Sequence, residues 1–155
     1  MVDFTKYIPG HSICEGLTEG ERKCIEQCAS LVHFNAGQSL FTEGQEARNF
    51  YIILSGQVSI ETKNGFESRL QIQQLAENEI IGWSWLFDNN EWNFTARAIE
   101  FTRAIAFSAE QLRNELDANP LLGYKFVKQF SYLMMQRLQR TRQLLMQHAG
   151  QAGRK

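Results

Sequence analysis

The stretch NFYIILSGQVSIETKNGFESRLQIQQL, residues 49–75, has the pattern of buried and half-buried β-strands. Residues 50–54 are almost all apolar, which is typical of a strand that lies inside the protein. The segments 58–62 and 66–72 then alternate between apolar and polar side chains, as strands with one wet face do. Asn64-Gly65 separates the two alternating segments, and this dipeptide is a strong hairpin signal. The stretch therefore predicts a buried strand followed by a β-hairpin.

Further short strands are predicted on both sides of this hairpin. Before it, short apolar runs are interrupted at Gly37 and Gly44. After it, residues 79–87, 93–100 and 102–107 have the composition of strands. Seven or more short strands, separated by glycine-marked turns, favour an antiparallel sandwich or jelly roll.

Helical patterns flank the strands. Thr18 and Glu21 have the spacing of a capping box at the start of a first helix, and Ser108 and Gln111 have the same spacing after the last strand. Asn119-Pro120 then predicts a second helix start, from which a long helix of about 40 Å should continue to about residue 147. We expect a single mainly β, α+β domain over 1–155, with the following parts: a helical segment 11–30, a β-roll 31–107 and helices 108–149.

Composition and charge limit the possible functions. The chain has three cysteines, no basic and apolar leader, and no apolar run near the roughly 20 residues of a membrane helix, so we expect a cytoplasmic protein without membrane contact. Residues 1–117 carry a net charge of −8 and residues 118–155 a net charge of +7. The basic end could bind nucleic acid, or it could simply be the solvated end of a helix. We expect no sequence-specific DNA binding.

The long helix has the pattern of an interface. Apolar side chains recur at steps of three and four residues, which is the spacing of a coiled-coil seam. The alternative is one broad stripe packed on the β-core, but the helix is longer than a β-domain of this size, which favours a homodimer. The predicted dimer seam consists of Val127, Phe130, Met134, Leu138 and Leu145.

Three stretches resemble the cyclic-nucleotide-binding domain of the catabolite-activator (Crp/Fnr) regulators. They are LFTEGQEARNFYIILSGQVSI at 40–60, ENEIIGWSWLF at 77–87 and FTARAIEFTRAIAFSAEQLRNEL at 94–116. The resemblance covers about His11 to His148 and implies the family's cupin-like β-roll with an N-terminal helix and a long C-terminal helix. Because the chain ends at Lys155, we expect the stand-alone form of this domain, without a helix-turn-helix domain.

The resemblance also locates a ligand pocket, and the chain departs from the family there. The family's glutamate for the ribose hydroxyl corresponds to Trp83, and its arginine for the cyclic phosphate corresponds to Trp92. Strand alternation places the nearby Arg97 on the opposite face from Trp92. A phosphodiester anion needs a cationic fork or several N–H donors, so we expect weak or no cyclic nucleotide binding. The tryptophans either line the pocket or fill it. The candidate pocket residues are Gly82, Trp83, Ser84, Trp85, Trp92, Asn93 and Phe94.

Enzymatic and metal-dependent functions have little support in the sequence. The cysteines at 14, 24 and 28 form no Cys-x-x-Cys pair, and the three histidines form no His-x-His pair of the cupin type. We therefore expect no catalytic residues, no metal and no cofactor. The function predicted is a non-enzymatic regulatory or sensor module with a degenerate nucleotide pocket, which signals through its dimer helix and senses a small molecule or a protein partner. The alternative is a ligand-free protein-interaction or dimerisation module with a filled pocket.

Overall fold

The protein folds into two four-stranded antiparallel sheets with three helices, in a computed structural model that describes residues 6–64, 68–86 and 90–153. One sheet has the order β1-β8-β3-β6 and the other the order β2-β7-β4-β5. The strands are β1 Ala29–Phe34, β2 Ser39–Phe41, β3 Asn49–Ser55, β4 Val58–Asn64, β5 Ser68–Leu75, β6 Ile80–Ile81, β7 Thr95–Ala98 and β8 Thr102–Ser108. The helices are α1 Glu19–Gln27, α2 Ala109–Ala118 and α3 Pro120–Ala152. The predicted β-roll between an N-terminal helix and a long C-terminal helix is confirmed.

The predicted hairpin is present as the β4–β5 pair. Its register runs from Val58 opposite Leu75 to Asn64 opposite Ser68. The Asn-Gly turn itself falls in 65–67, outside the described residues. The buried strand predicted at 50–54 is β3, which pairs with β8 on one side and β6 on the other.

Three predicted boundaries were wrong. The segment 79–87 was predicted as one strand, but β6 ends at Ile81 because Gly82 adopts a positive φ of 85°, and a 3₁₀ turn follows at Ser84–Leu86. Its last predicted residue, at 87, lies outside the described residues. The first helical segment is shorter than predicted because β1 already begins at Ala29, and the long helix continues to Ala152.

The helix starts follow the predicted capping signals. Thr18 and Glu21 form both hydrogen bonds of the capping box at α1. At α2, the Ser108 hydroxyl accepts a hydrogen bond from the N–H of Gln111, and at α3 the Asn119 side chain caps the first turn. No helix in the described parts of the chain combines the length and apolar character that crossing a membrane requires.

The two C-terminal helices touch closely at Gly123. A Cβ atom on Gly123 would lie 2.9 Å from the carbonyl oxygen of Leu116 in α2, so a larger residue would push the helices apart. Beyond this contact, Phe126 and Phe130 of α3 pack on Phe50 of β3.

The predicted dimer seam needs one correction and one refinement. Phe130 is only 1% exposed and packs against Phe50 and Trp85 of its own chain, so it does not belong to a surface offered to a partner. Met134 is partly buried against the same core. Val127, Leu138 and Leu145 are exposed, at 44%, 51% and 65%, and their place in a dimer seam stays a prediction.

Candidate functional site

Trp92 lies in an aromatic cluster inside the roll. Its ring is 3% exposed and stacks on Phe41 with ring centroids 3.7 Å apart. Phe41 in turn contacts Phe94 and Tyr51, and Tyr51 meets the ring of Phe34 edge-on. The cluster joins β1, β2, β3 and the segment before β7, and it occupies the interior near the predicted pocket.

Gly82 allows the Trp92 ring to lie against the backbone. A Cβ atom at this position would lie 2.5 Å from Cη2 of Trp92, closer than van der Waals contact permits. The backbone of Trp92 is also fixed, because its N–H donates to Gln45 and its carbonyl accepts from Gly44. The absence of a side chain at Gly82 and the bulk of Trp92 therefore complement each other.

Trp85 belongs to a different cluster, between β3 and α3. It is fully buried and stacks on Phe50 with centroids 5.3 Å apart, while Phe126 and Phe130 contact its ring at steep angles. Its indole N–H has no hydrogen-bond partner among the described residues, which is costly for a buried polar group. Trp85 thus attaches the 3₁₀ turn to the aromatic core between β3 and α3.

Trp83 faces outward and forms one wall of a groove. It is partly buried, and the guanidinium of Arg137 lies 4.9 Å from its ring centroid. We call this space, of about 350 Å³, the Trp83 groove; it lies between α3, the turn before β6 and the N-terminal 3₁₀ turn Ser12–Cys14. The three tryptophans of one sequence stretch therefore lie in three different surroundings.

The predicted pocket residues are not brought together into one site. Gly82, Trp92 and Phe94 meet in the roll interior, whereas Trp85 lies in the helix-facing core. Of the two remaining polar residues, Ser84 is buried in the 3₁₀ turn and Asn93 is exposed. Trp83 lies in the groove, on the other side of Phe130 from the core, and both Trp83 and Trp85 contact the Phe130 ring.

The nearest candidate cation is directed away from the interior, as strand alternation predicts. Arg97 donates to the carboxylate of Glu61 at 3.2 Å and to the carbonyl of Gly37 at 2.8 Å, on the outer surface of the β2-β7-β4-β5 sheet. Among the described residues, the two cation–ring contacts lie at Tyr124 and Trp83, not at Trp92.

The Trp83 groove holds a group of polar side chains that the sequence did not point to. Arg137 donates to the carbonyl of Ile80, and burial lowers its pKa to about 10. Arg140 forms an ion pair with Glu79. His11 donates from Nε2 to the carbonyl of Asn78 at 2.9 Å. One signal was available: Arg137 follows Phe130 by seven residues, which places it on the buried face of α3.

Two of the three cysteines belong to the hydrophobic core. Cys14 and Cys28 are buried, and burial raises the pKa of each thiol to about 11. Over the described ranges, no group of three or more His, Cys, Asp and Glu residues is placed to hold a metal ion.

Comparison with known proteins identifies the class of protein. The sequence profile of the cyclic nucleotide-binding domain matches residues 31–119, more than half of the chain, and the chain belongs to this family. A CRP-like cAMP-activated global transcriptional regulator of Mycobacterium tuberculosis is 28% identical over 131 residues, which is 83% of this chain and 56% of that protein. The chain spans about half the length of the curated relatives it matches.

Two solved structures have the same fold. A cyclic nucleotide-binding domain from Methylobacillus flagellatus superimposes with a TM-score of 0.78 at 19% identity, over 94% of this chain and 85% of that one. The sensor domain of a transcriptional regulator from Pseudomonas aeruginosa gives a TM-score of 0.70 at 20% identity, over 89% and 95% of the two chains. At this identity the likeness establishes the fold alone.

Proposed function

We propose that the protein is a non-enzymatic regulatory module of the cyclic nucleotide-binding domain family whose nucleotide position is filled by its own aromatic side chains. The observation that carries this proposal is the packing of Trp92, stacked 3.7 Å from Phe41 and pressed on Gly82. The resemblance assigns the phosphate-binding arginine to the position of Trp92. A buried aromatic ring there offers one neutral N–H and much apolar bulk, which suits a core rather than an anion.

The charges around the roll interior support the same conclusion. A cyclic phosphodiester is a permanent anion, and burying it without a cationic partner costs several kcal/mol or more. Arg97 is engaged by Glu61 on the outer surface and is unavailable to the interior. Nucleotide binding would therefore require both displacement of the Trp92 ring and a new cation.

The module signals, in this proposal, through a homodimer formed by α3. One side of this helix presents an apolar stripe to solvent, and a contiguous apolar surface of this kind typically marks an interface. A second copy with two-fold symmetry is the commonest way to cover such a stripe. The stripe consists of Tyr124, Val127, Met135, Leu138 and Leu145.

The basic end of the chain supports a structural rather than a DNA-binding role. Lys125 pairs with Glu21, Arg140 pairs with Glu79, and Arg137 lies over Trp83, so three of its basic side chains are directed to the same domain. Any association with DNA should therefore be weak, salt-dependent and without sequence preference.

A second candidate function is a pure interaction or dimerisation module without any small-molecule ligand. The filled roll interior favours it, because the space that holds a ligand in the resembled domains is occupied here by side chains of the chain itself. The two candidates differ in whether any small molecule stabilises the folded protein, since a ligand that binds the folded state raises the melting temperature.

The first prediction is that cyclic AMP and cyclic GMP do not bind with micromolar affinity. Isothermal titration calorimetry of the wild type is expected to show no saturable heat with either nucleotide. The double variant Trp83→Glu, Trp92→Arg restores both side chains that the resemblance assigns to nucleotide binding, and a gain of affinity in it would identify their loss as the cause. Micromolar or tighter binding by the wild type would overturn the proposal.

A further inference from the structure

The Trp83 groove is a candidate ligand site separate from the roll interior. It has a volume of about 350 Å³, at the lower end of the usual range for small-molecule sites. We propose that this groove binds a small organic monocarboxylate with an apolar body, held by Arg137 at one end and by the apolar wall of the groove along its length.

Arg137 provides the anion-binding group. A guanidinium has five N–H donors, and in the described structure Arg137 uses one of them, to the carbonyl of Ile80. Its positive charge is largely buried, and Trp83 covers one face of the guanidinium. A carboxylate can accept hydrogen bonds from two of the remaining N–H groups, in the planar two-bond geometry that arginine favours. These bonds would replace the solvation that the guanidinium loses by burial.

The charge balance of the groove favours a single negative charge. Its charged lining residues are Arg137, Arg140 and Glu79. Glu79 and Arg140 compensate each other as an ion pair, so Arg137 is left as the uncompensated cation. His11 adds no charge when it is neutral, as its two hydrogen bonds require. A monocarboxylate restores neutrality, whereas a phosphate monoester, with a charge of about −2, leaves an excess beside Glu79.

One wall of the groove is apolar and suits a hydrocarbon or aromatic body, while the lining also includes Ser12, Asn78 and Gln136. Trp83, Phe130, Leu133 and Met134 line this wall, and the Trp83 and Phe130 rings meet edge-on with centroids 6.5 Å apart. An apolar wall together with a few polar groups, among them the fork of N–H donors of Arg137, matches the general design of small-molecule sites. It is independent of the roll interior, so the failure of one proposal would not decide the other.

The test uses octanoate and 3-phenylpropionate as probes in isothermal titration calorimetry, with 1-octanol, 3-phenyl-1-propanol and inorganic phosphate as comparison compounds. We expect at least one acid to bind with a Kd below about 1 mM, and its alcohol and phosphate to bind at least about tenfold more weakly. Absence of saturable binding by both acids below 1 mM overturns the proposal. Equal binding by the alcohol or by phosphate overturns the carboxylate assignment.

Two variants, each with a matched control, locate the binding. Arg137→Lys keeps the charge but removes the fork, and we expect it to weaken binding of the acid by about tenfold or more; Arg142→Lys, on the exposed part of the same helix, should change nothing. Met134→Glu places a second negative charge in the groove and should abolish binding, whereas Met134→Gln should retain it. Circular dichroism establishes that each variant is folded, and unchanged Kd values in both Arg137→Lys and Met134→Glu overturn the proposal.

Tryptophan fluorescence gives an independent measurement. Trp83 lines the groove, whereas Trp92 is buried in the roll interior and Trp85 lies behind Phe130, so most of the fluorescence change on adding the acid should come from Trp83. The change should saturate at the same concentrations as the heat and be largely lost in Trp83→Phe. An undiminished change in this variant would place the ligand elsewhere and overturn the assignment.

Discussion

Trp92 and Gly82 form a matched pair in which a small residue makes room for a large one. The positive φ of Gly82 also ends β6 and starts the 3₁₀ turn, so the same glycine determines both the local chain direction and the packing of the interior. A side chain at position 82 would therefore both strain the backbone and collide with the Trp92 ring.

The second prediction concerns this pair. Gly82→Ala should lower the free energy of unfolding by more than about 2 kcal/mol, because it combines left-handed backbone strain with overpacking against Trp92. Trp92→Leu in the same chain should reduce the penalty of Gly82→Ala, since the clash is relieved while the strain remains. Urea denaturation measures both effects.

Gly150→Ala is the matched control. Gly150 lies within α3 and has nothing within 4 Å of a built Cβ, so alanine there should be neutral or stabilise by up to about 1 kcal/mol. Equal effects of the two glycine substitutions would show that Trp92 does not pack on Gly82 in solution.

The α3 helix has apolar side chains on two of its sides, one buried and one exposed. Phe126 and Phe130 contact the roll, while Leu138 and Leu145 are exposed. A helix with two such surfaces can pack one on its own domain and offer the other to a partner.

The third prediction tests the outer surface. Leu138→Asp should convert a dimer into a monomer or into aggregates, because each chain would place a charge in the apolar contact close to its two-fold mate. Size-exclusion chromatography with light scattering at tens of micromolar measures the mass. Gln143→Asp, exposed on another side of the same helix, should leave the dimer intact. A monomeric wild type at this concentration would contradict the dimer.

Periodicity in the sequence was sufficient to predict a long helix with an exposed apolar stripe, but not to assign each residue to a surface. Val127 and Phe130 are three positions apart, which leaves their side chains about 60° apart around the helix at 3.6 residues per turn. That rotation is enough to move Phe130 from the exposed stripe into the core. The choice depends on Phe50 and Trp85, which pack on α3 from distant parts of the chain, and no local pattern contains them.

The site could be predicted from sequence only in part, for the same reason. The loss of nucleotide-binding side chains at Trp83 and Trp92 is a prediction from the sequence, because the resemblance assigns the family's binding residues to those two positions. The different environments of these two residues could not be predicted, since a 3₁₀ turn at Ser84–Leu86 lies between them where the sequence predicted a continuous strand. The groove was missed altogether, because its polar residues come from the N-terminal segment, the turn before β6 and α3.

At the scale of the whole molecule, His11 attaches the N-terminal segment to the turn before β6. The His11 ring donates to the carbonyl of Asn78 and accepts from the N–H of Ile13, so its neutral form is the one that fits. Burial lowers the pKa of His11 below its ordinary value of 6.5. Protonation of this ring therefore opposes the folded state.

The fourth prediction follows from this linkage. Since the pKa of His11 is lower in the folded chain than in the unfolded one, the unfolded chain takes up the proton first, and stability should fall as the pH decreases below about 6.5. His11→Gln should reduce the slope of stability against pH between 5 and 6.5, although it lowers stability at pH 8. His148→Gln, on the exposed end of α3, serves as the control. Identical slopes in the wild type and His11→Gln would rule out this role.

The close contact at Gly123 fixes the start of α3 against the carbonyl of Leu116. Contacts with the roll continue along the helix as far as Arg140, whose guanidinium pairs with Glu79. From there the helix extends about 18 Å further, to Ala152, at 1.5 Å per residue. This projecting end carries any tilt of α3 on the roll outward: a tilt of about 5° displaces its tip by about 1.5 Å while the fold of the roll stays the same.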